Sequence, residues 1–276
     1  MSSTKAVRAL TSNLTSYDLL KAVAVITMVI DHMGYYLFPD ELMWRAIGRI
    51  SFPIWFFLVG YARGRDLSLR LFIGVAILVV SNVVCGLAVF PLNVLVTIIL
   101  IRMVIDPLMS VALKNIGSAL LGLVVVTGAI IPSFSVSEYG TLGLLLAMFG
   151  YMTRHRPSIP GLAMGPDKVL QGMALYCFFT ILLIQQLFFN FQGASLITFM
   201  TGTALVIWTL LHFQSREYPQ FTAKAPRWTT YTVQLLGRNT MEIYVIHLVL
   251  LKVTGVFTDP ARFAWFDWVW YSATGH

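Results

Sequence analysis

Residues 17–38 read YDLLKAVAVITMVIDHMGYYLF. At a rise of about 1.5 Å per residue, a helix of this length spans about 30 Å, the thickness of a bilayer's hydrocarbon core. After Asp18, its charged or readily charged groups are Lys21, Asp31 and His32. A charge inside a bilayer is costly, so groups that persist there pair with one another and mark a pathway or a reaction site. The stretch therefore sets the fold, a helix bundle in a membrane, and marks the first place to look for chemistry.

The composition extends this reading to the whole chain. Of 276 residues, 58% are hydrophobic and 11% charged, against roughly 25% charged in soluble domains. Mean hydropathy is +0.78. The expected fold class is an all-α polytopic membrane protein, one domain over 1–276, with a polar cavity inside the bundle. Nine apolar segments are candidate spans: Tyr17–Phe38, Trp44–Ala62, Ser68–Phe90, Leu92–Leu113, Ile116–Ile131, Tyr139–Thr153, Val169–Asn190, Ser195–Phe213 and Tyr231–Phe257. The fifth and sixth are short, so the expected count is eight to ten. Pro53 and Pro107 fall inside segments and are expected to kink or interrupt them. No cleavable signal peptide is expected ahead of the first span. Cys85 and Cys177 read as small buried apolar residues, and the Trp-rich tail Phe263–Tyr271 reads as an interfacial anchor.

Orientation follows from the lysines and arginines of the short loops. With the N-terminus in the cytoplasm, one side carries Lys5, Arg8, Arg63, Arg65, Arg70, Lys114, Arg154, Arg156, Lys168, Arg216, Lys224 and Arg227. The opposite loops carry none until Arg262. The chain is thus expected to lie N-in and C-out. The net charge of +7 is a topology signal, and a nucleic-acid surface is set aside.

The intramembrane polar residues fall into three groups. In the first span Asp31 and His32 lie in the outer half with Tyr35, and Lys21 shares a face with His32 three turns earlier. The second span runs back inward, so Arg45 and Arg49 occupy the same outer half, one turn apart. Asp31 is expected to pair with one of them, either as part of a reaction site or as a lock on a helical hairpin. Asn93, Thr97, Arg102 and Asp106 form a stripe in the fourth span. They line the same cavity, or Arg102 and Asp106 satisfy each other within the helix. In the last segment Asn239 and Glu242 have capping-box spacing after Gly237. A break there sets Arg238 at the cytoplasmic boundary and puts Thr240, Tyr244 and His247 on one face. A histidine beside a carboxylate suits proton transfer, because the carboxylate fixes its tautomer and stabilises the imidazolium. There is no Gly-rich phosphate loop, nucleophile elbow or metal-ligand cluster, so no metal is expected.

Residues 20–34, from Leu20-Lys21 through Ile30-Asp31-His32-Met33-Gly34, and Ile47-Gly48-Arg49-Ile50-Ser51-Phe52-Pro53-Ile54 resemble the opening of the TraX family of pilin N-acetylating membrane proteins. Leu92-Asn93 with Thr97, and Glu138-Tyr139-Gly140-Thr141-Leu142-Gly143, resemble later motifs of that family. The ending Leu236–His247 is closer to the last helix of wider membrane acyltransferases, including the type 3 acyltransferases. The resemblance implies transfer of acetyl from cytoplasmic acetyl-CoA to an amine or hydroxyl acceptor at the outer face, in a bacterial cytoplasmic (inner) membrane. The family's first-helix histidine and acid match His32 and Asp31, and its second-helix arginine matches Arg49 or Arg45. His32 then acts as general base or acyl carrier, oriented by Asp31, with Arg49 steadying the carbonyl oxygen.

The donor phosphates are assigned to Arg63, Arg65, Arg154, Arg156 and Arg238, which positive-inside topology also explains. Lys21, Tyr35, Asn93, Thr97, Arg102, Glu242, Tyr244 and His247 are assigned to the substrate cavity. The expected partners are the acyl-CoA donor, an extracytoplasmic or membrane-associated acceptor (glycan, lipid or peptide amine), the lipid bilayer and, in principle, a second copy of the chain. The sequence departs from the TraX pattern near its C-terminus, so a pilin amine is not assumed. The alternative is a polytopic transporter or proton-coupled carrier using the same charges. A non-catalytic assembly factor ranks below both.

Overall fold

A bilayer offers no water to backbone N–H and C=O groups, so each crossing segment satisfies its own as a helix. The computed structural model describes residues 12–271; Lys5 and Arg8 of the orientation argument lie outside them. Helix α1 (Ser16–Leu37) opens with a capping box between Thr15 and Asp18 and covers the deciding stretch. The second segment is two helices, α2 (Leu42–Gly48) and α3 (Phe52–Tyr61), with Pro53 at the start of α3. The break expected from Pro53 is therefore present. Helices α4 (Leu69–Val84) and α5 (Val94–Ala112) follow, α5 capped by the Asn93 side chain on Leu95 N–H. Pro107 lies inside α5 without ending it.

Next come α6 (Ile116–Gly128), capped by Asn115, the short α7 (Ile130–Ser133), α8 (Gly140–His155), α9 (Pro166–Phe189) and α10 (Gly193–Leu211). The chain ends in α11 (Pro219–Lys224), α12 (Arg227–Arg238) and α13 (Thr240–Thr258). No strand occurs among the described residues. Six helices, counting α2 and α3 together, are long and apolar enough to cross a membrane. The segments expected over Ser68–Phe90, Ile116–Ile131 and Tyr139–Thr153 form shorter helices of 16, 13 and 16 residues.

The last apolar segment is broken at Asn239, as its sequence suggests. The expected capping box is absent, however. Asn239 makes no side-chain cap, and its Nδ2 instead donates to Leu235 C=O at 3.0 Å. The amide thus closes the last turn of α12 rather than opening α13.

Contacts between elements sort the chain into two ends. At one, Tyr17 meets the rings of Tyr61 and Phe213, Arg154 donates to Tyr61 C=O at 2.8 Å, and Arg65 pairs with Asp106 at 3.0 Å. At the other, Asp31, Arg45, Arg49 and Tyr139 converge. The tail folds back over this second end. Val89 and Phe90 N–H groups donate to the carbonyls of Val269 and Trp270, and Tyr271 stacks on Phe90. Trp265, Trp268 and Trp270 remain exposed, as an interfacial anchor requires.

Lipid tails are as apolar as leucine, so helices in a membrane associate through close packing rather than hydrophobic burial. At the α3–α8 contact a Cβ on Gly60 would strike the backbone of Ala147, and one on Gly150 would strike Phe57 C=O. Gly48 does the same for α1 and α2, since a Cβ there would overlap the backbone and Cβ of Asp31. This approach brings the two arginines to the carboxylate. Gly48→Val is therefore expected to lower stability by about 1–3 kcal/mol through overpacking, read as a lower unfolding midpoint in detergent. An unchanged midpoint would show that the helices separate freely there.

Candidate functional site

At the Asp31 end, helices α1, α4, α9 and α13 and the loops before α5 and α8 surround a cavity of about 400 Å³. Asp31, itself 4% exposed, is its anchor. Its carboxylate lies 3.2 Å from Arg45 Nη1 and 3.3 Å from Arg49 Nε, and its backbone carbonyl accepts from Arg45 Nη1 at 2.9 Å. The expected ion pair thus forms with both arginines. Arg49 Nη1 also donates to the Tyr139 hydroxyl at 2.8 Å. Both guanidiniums lie over the Phe189 ring, at 5.2 Å for Arg45 and 4.6 Å for Arg49. Tyr139 holds a left-handed backbone (φ 64°), which costs a non-glycine residue about 1–2 kcal/mol. Stacking on Phe52 and the Arg49 bond keep it there.

His32 is oriented otherwise than expected. Its Nδ1 lies 2.7 Å from His247 Nε2, and the rings stack with centroids 5.0 Å apart. His247 Nδ1 lies 2.6 Å from Ile243 C=O. A carbonyl only accepts, so His247 Nδ1 carries a hydrogen and, in the neutral ring, Nε2 accepts. His32 Nδ1–H is then the donor, which leaves the lone pair on His32 Nε2. The tautomer role expected of Asp31 belongs to His247. Neighbouring residues on a helix point about 100° apart, so the carboxylate of Asp31 and the ring of His32 address different helices.

The other expected site residues divide between two places. Tyr35 and Asn93 line the Asp31 cavity. Lys21 and Arg102 line a second cavity of about 300 Å³, nearer the opposite end, with Trp55, Thr240 and Met241. Tyr244 borders both. Thr97 sits between, its hydroxyl donating to Glu138 C=O at 2.5 Å. Arg102 does not pair with Asp106; it donates to Asp66 C=O, while Arg65 takes Asp106. Glu242, in the first turn of α13, lines neither cavity.

The arginines expected to hold donor phosphates have internal work. Arg65 closes the end of α3 by donating to Val59, Gly60 and Ala62 carbonyls. Arg154 binds Tyr61 C=O, Arg156 pairs with Asp167 at 2.7 Å, and Arg238 pairs with Asp18 at 3.2 Å. Arg63 is exposed.

Three groups of the Asp31 cavity went unassigned in the sequence. Lys252 is 4% exposed and donates to Leu78 C=O, Ser81 Oγ and Asn82 Oδ1, all uncharged. Glu138, in the loop before α8, packs against the start of α5 and faces Val94 N–H. Gln185 is 3% exposed, and its Oε1 has no hydrogen-bond partner among the described residues. The signal for Lys252 was available, because it is the lysine inside the last apolar helix.

Residues 16–255 match the family described as TraX protein, and the chain belongs to that family. An uncharacterized protein of Rickettsia prowazekii (strain Madrid E) is 28% identical over 246 residues, covering 89% of this chain and 94% of the relative. No solved structure matches.

Removing one partner from a buried ion cluster leaves charge without compensation, at about 3–5 kcal/mol. Asp31→Asn, with two buried arginines left behind, is expected to cost that much and to lower yield and thermal midpoint in detergent. His32→Ala leaves the cluster intact and is expected to keep both near wild type. Equal loss in the two variants would contradict this division of labour.

Proposed function

We propose that this member of the TraX family is a membrane acyltransferase, moving acetyl from cytoplasmic acetyl-CoA to an amine or hydroxyl acceptor on the other side. The observation that carries the reading is the His32–His247 pair: the tautomer it fixes leaves the lone pair on His32 Nε2, and His32 lines the same cavity as Asp31, Arg45 and Arg49. A neutral imidazole with a second proton acceptor behind it suits general-base work. The ending Leu236–His247, which resembles the last helix of wider membrane acyltransferases, supplies that second histidine.

The excess of lysine and arginine at the Lys21 end supports placing it in the cytoplasm. The Asp31 cavity then opens outward and receives the acceptor. His32 Nε2 takes the proton from the acceptor N–H or O–H as that atom attacks the thioester carbonyl. The positive charge of Arg45, Arg49 and Lys252 favours the oxyanion that forms. Collapse breaks the C–S bond, and the departing thiolate takes a proton from His32. His247 shares the imidazolium charge meanwhile, with Ile243 C=O accepting from its Nδ1–H.

Two outcomes are expected. With purified protein in nanodiscs, acetyl-CoA and envelope extract, free thiol is released; His32→Ala lowers the rate by roughly 10²–10⁴-fold and His247→Ala by a smaller factor. A carrier using the same charges would consume no acetyl-CoA. For orientation, Asp40→Cys is labelled by a membrane-impermeant maleimide in intact cells, and Ser215→Cys only after permeabilisation. The reverse pattern would overturn the topology.

A further inference from the structure

We infer that the Lys21 cavity is the channel for the acyl-pantetheine arm of the donor, and that Tyr244 is its end wall and sets the length of acyl group accepted. The inference rests on the acyltransferase reading and adds to it the donor's path and its selectivity.

Hydrogen-bond demand favours this cavity over the arginines nearer the helix ends. Arg65, Arg154, Arg156 and Arg238 are each committed to a carboxylate or a backbone carbonyl. Lys21 and Arg102 line the second cavity, and Arg102, although one of its Nη groups donates to Asp66 C=O, keeps a further donor there. Trp55 lines it too, and its indole N–H is buried with no hydrogen-bond partner among the described residues; the same is true of Arg102 Nε. A buried donor without a partner costs about 1–3 kcal/mol. A ligand rich in acceptor oxygens, such as the amide carbonyls and phosphates of a pantetheine arm, relieves that cost. The rest of the lining is mainly apolar, with Met28, Leu58, Val59, Leu71, Leu95 and Ile98, which suits a narrow, mostly aliphatic chain.

Tyr244 is the residue that borders both cavities, and it is 6% exposed. Its ring lies 6.0 Å from that of His32 and 5.9 Å from that of His247, centroid to centroid. A thioester brought up from the Lys21 side therefore meets this ring beside the base. A two-carbon acyl group stops there. A longer one runs into the ring, so truncating Tyr244 joins the two spaces and admits it.

The test measures binding separately from turnover. Non-transferable thioether analogues of acetyl-CoA and octanoyl-CoA are titrated against full-length protein in nanodiscs, as wild type, Trp55→Phe and Tyr244→Ala. Trp55→Phe keeps an aromatic wall and removes the donor, and is expected to weaken both analogues about tenfold. Tyr244→Ala is expected to raise binding of the eight-carbon analogue relative to the two-carbon one by tenfold or more. Should Tyr244→Ala fail to fold, Ile98→Trp, which fills the channel from an apolar wall, is expected to abolish binding of both. Equal binding by all variants, or none by wild type, overturns the inference. Thiol release from the natural thioesters is followed in parallel. Variant-dependent binding without release supports the channel and counts against transfer; release with variant-independent binding does the reverse.

Discussion

A single carboxylate with two arginines organises the Asp31 end of the molecule. Asp31 draws Arg45 from within α2 and Arg49 from the break before α3, and Arg49 reaches on to Tyr139 at the head of α8. Phe189, at the end of α9, covers both guanidiniums. Four parts of the chain are fixed against one another by one negative charge. Desolvating such a group is costly unless it is fully paired, so the geometry around it is tightly determined. Gly48 is the steric condition for the cluster, since any side chain there would displace Asp31.

The ion cluster and the histidine pair are thereby separated. Asp31 pairs with two arginines and leaves one positive charge in excess, while His32, one residue on, turns to α13 and finds His247. His32 thus lies beside the ion cluster without joining its pairing, which leaves it free for the role of base proposed above. Lys252 and Glu138 add a third basic and a second acidic side chain to the same cavity. The two cavities meet at Tyr244, so a donor from one side and an acceptor from the other would converge on His32.

Much of this was legible in the chain and some was not, for identifiable reasons. The apolar segments, the Asp31–arginine pairing and the break near Asn239 all come from local period and from adjacent helices, which sequence spacing describes well. The His32–His247 contact joins residues 215 apart, and no local pattern states which way α13 turns. Reading Asp31-His32 as a catalytic pair took neighbours in sequence for neighbours in space. The arginines assigned to the donor carry contacts that their spacing did not announce, because a cation near a helix end serves topology, capping and pairing alike. Arg65 and Arg154 bind carbonyls at the end of α3, a demand visible only once the helix ends are placed. Arg102 and Asp106 have suitable helical spacing, yet each found a partner in the loop after α3.

Whether a donor on one side and an acceptor on the other meet at His32 is decided in sealed proteoliposomes of uniform orientation. Acetyl-CoA labelled in its acetyl group is placed on the Lys21 side and envelope extract on the Asp31 side. Label is expected on a component of the extract while CoA remains behind as free thiol, and His32→Ala is expected to abolish the transfer. Label that crosses still attached to CoA, or that never leaves the donor compartment with the wild-type protein, would contradict a meeting at His32.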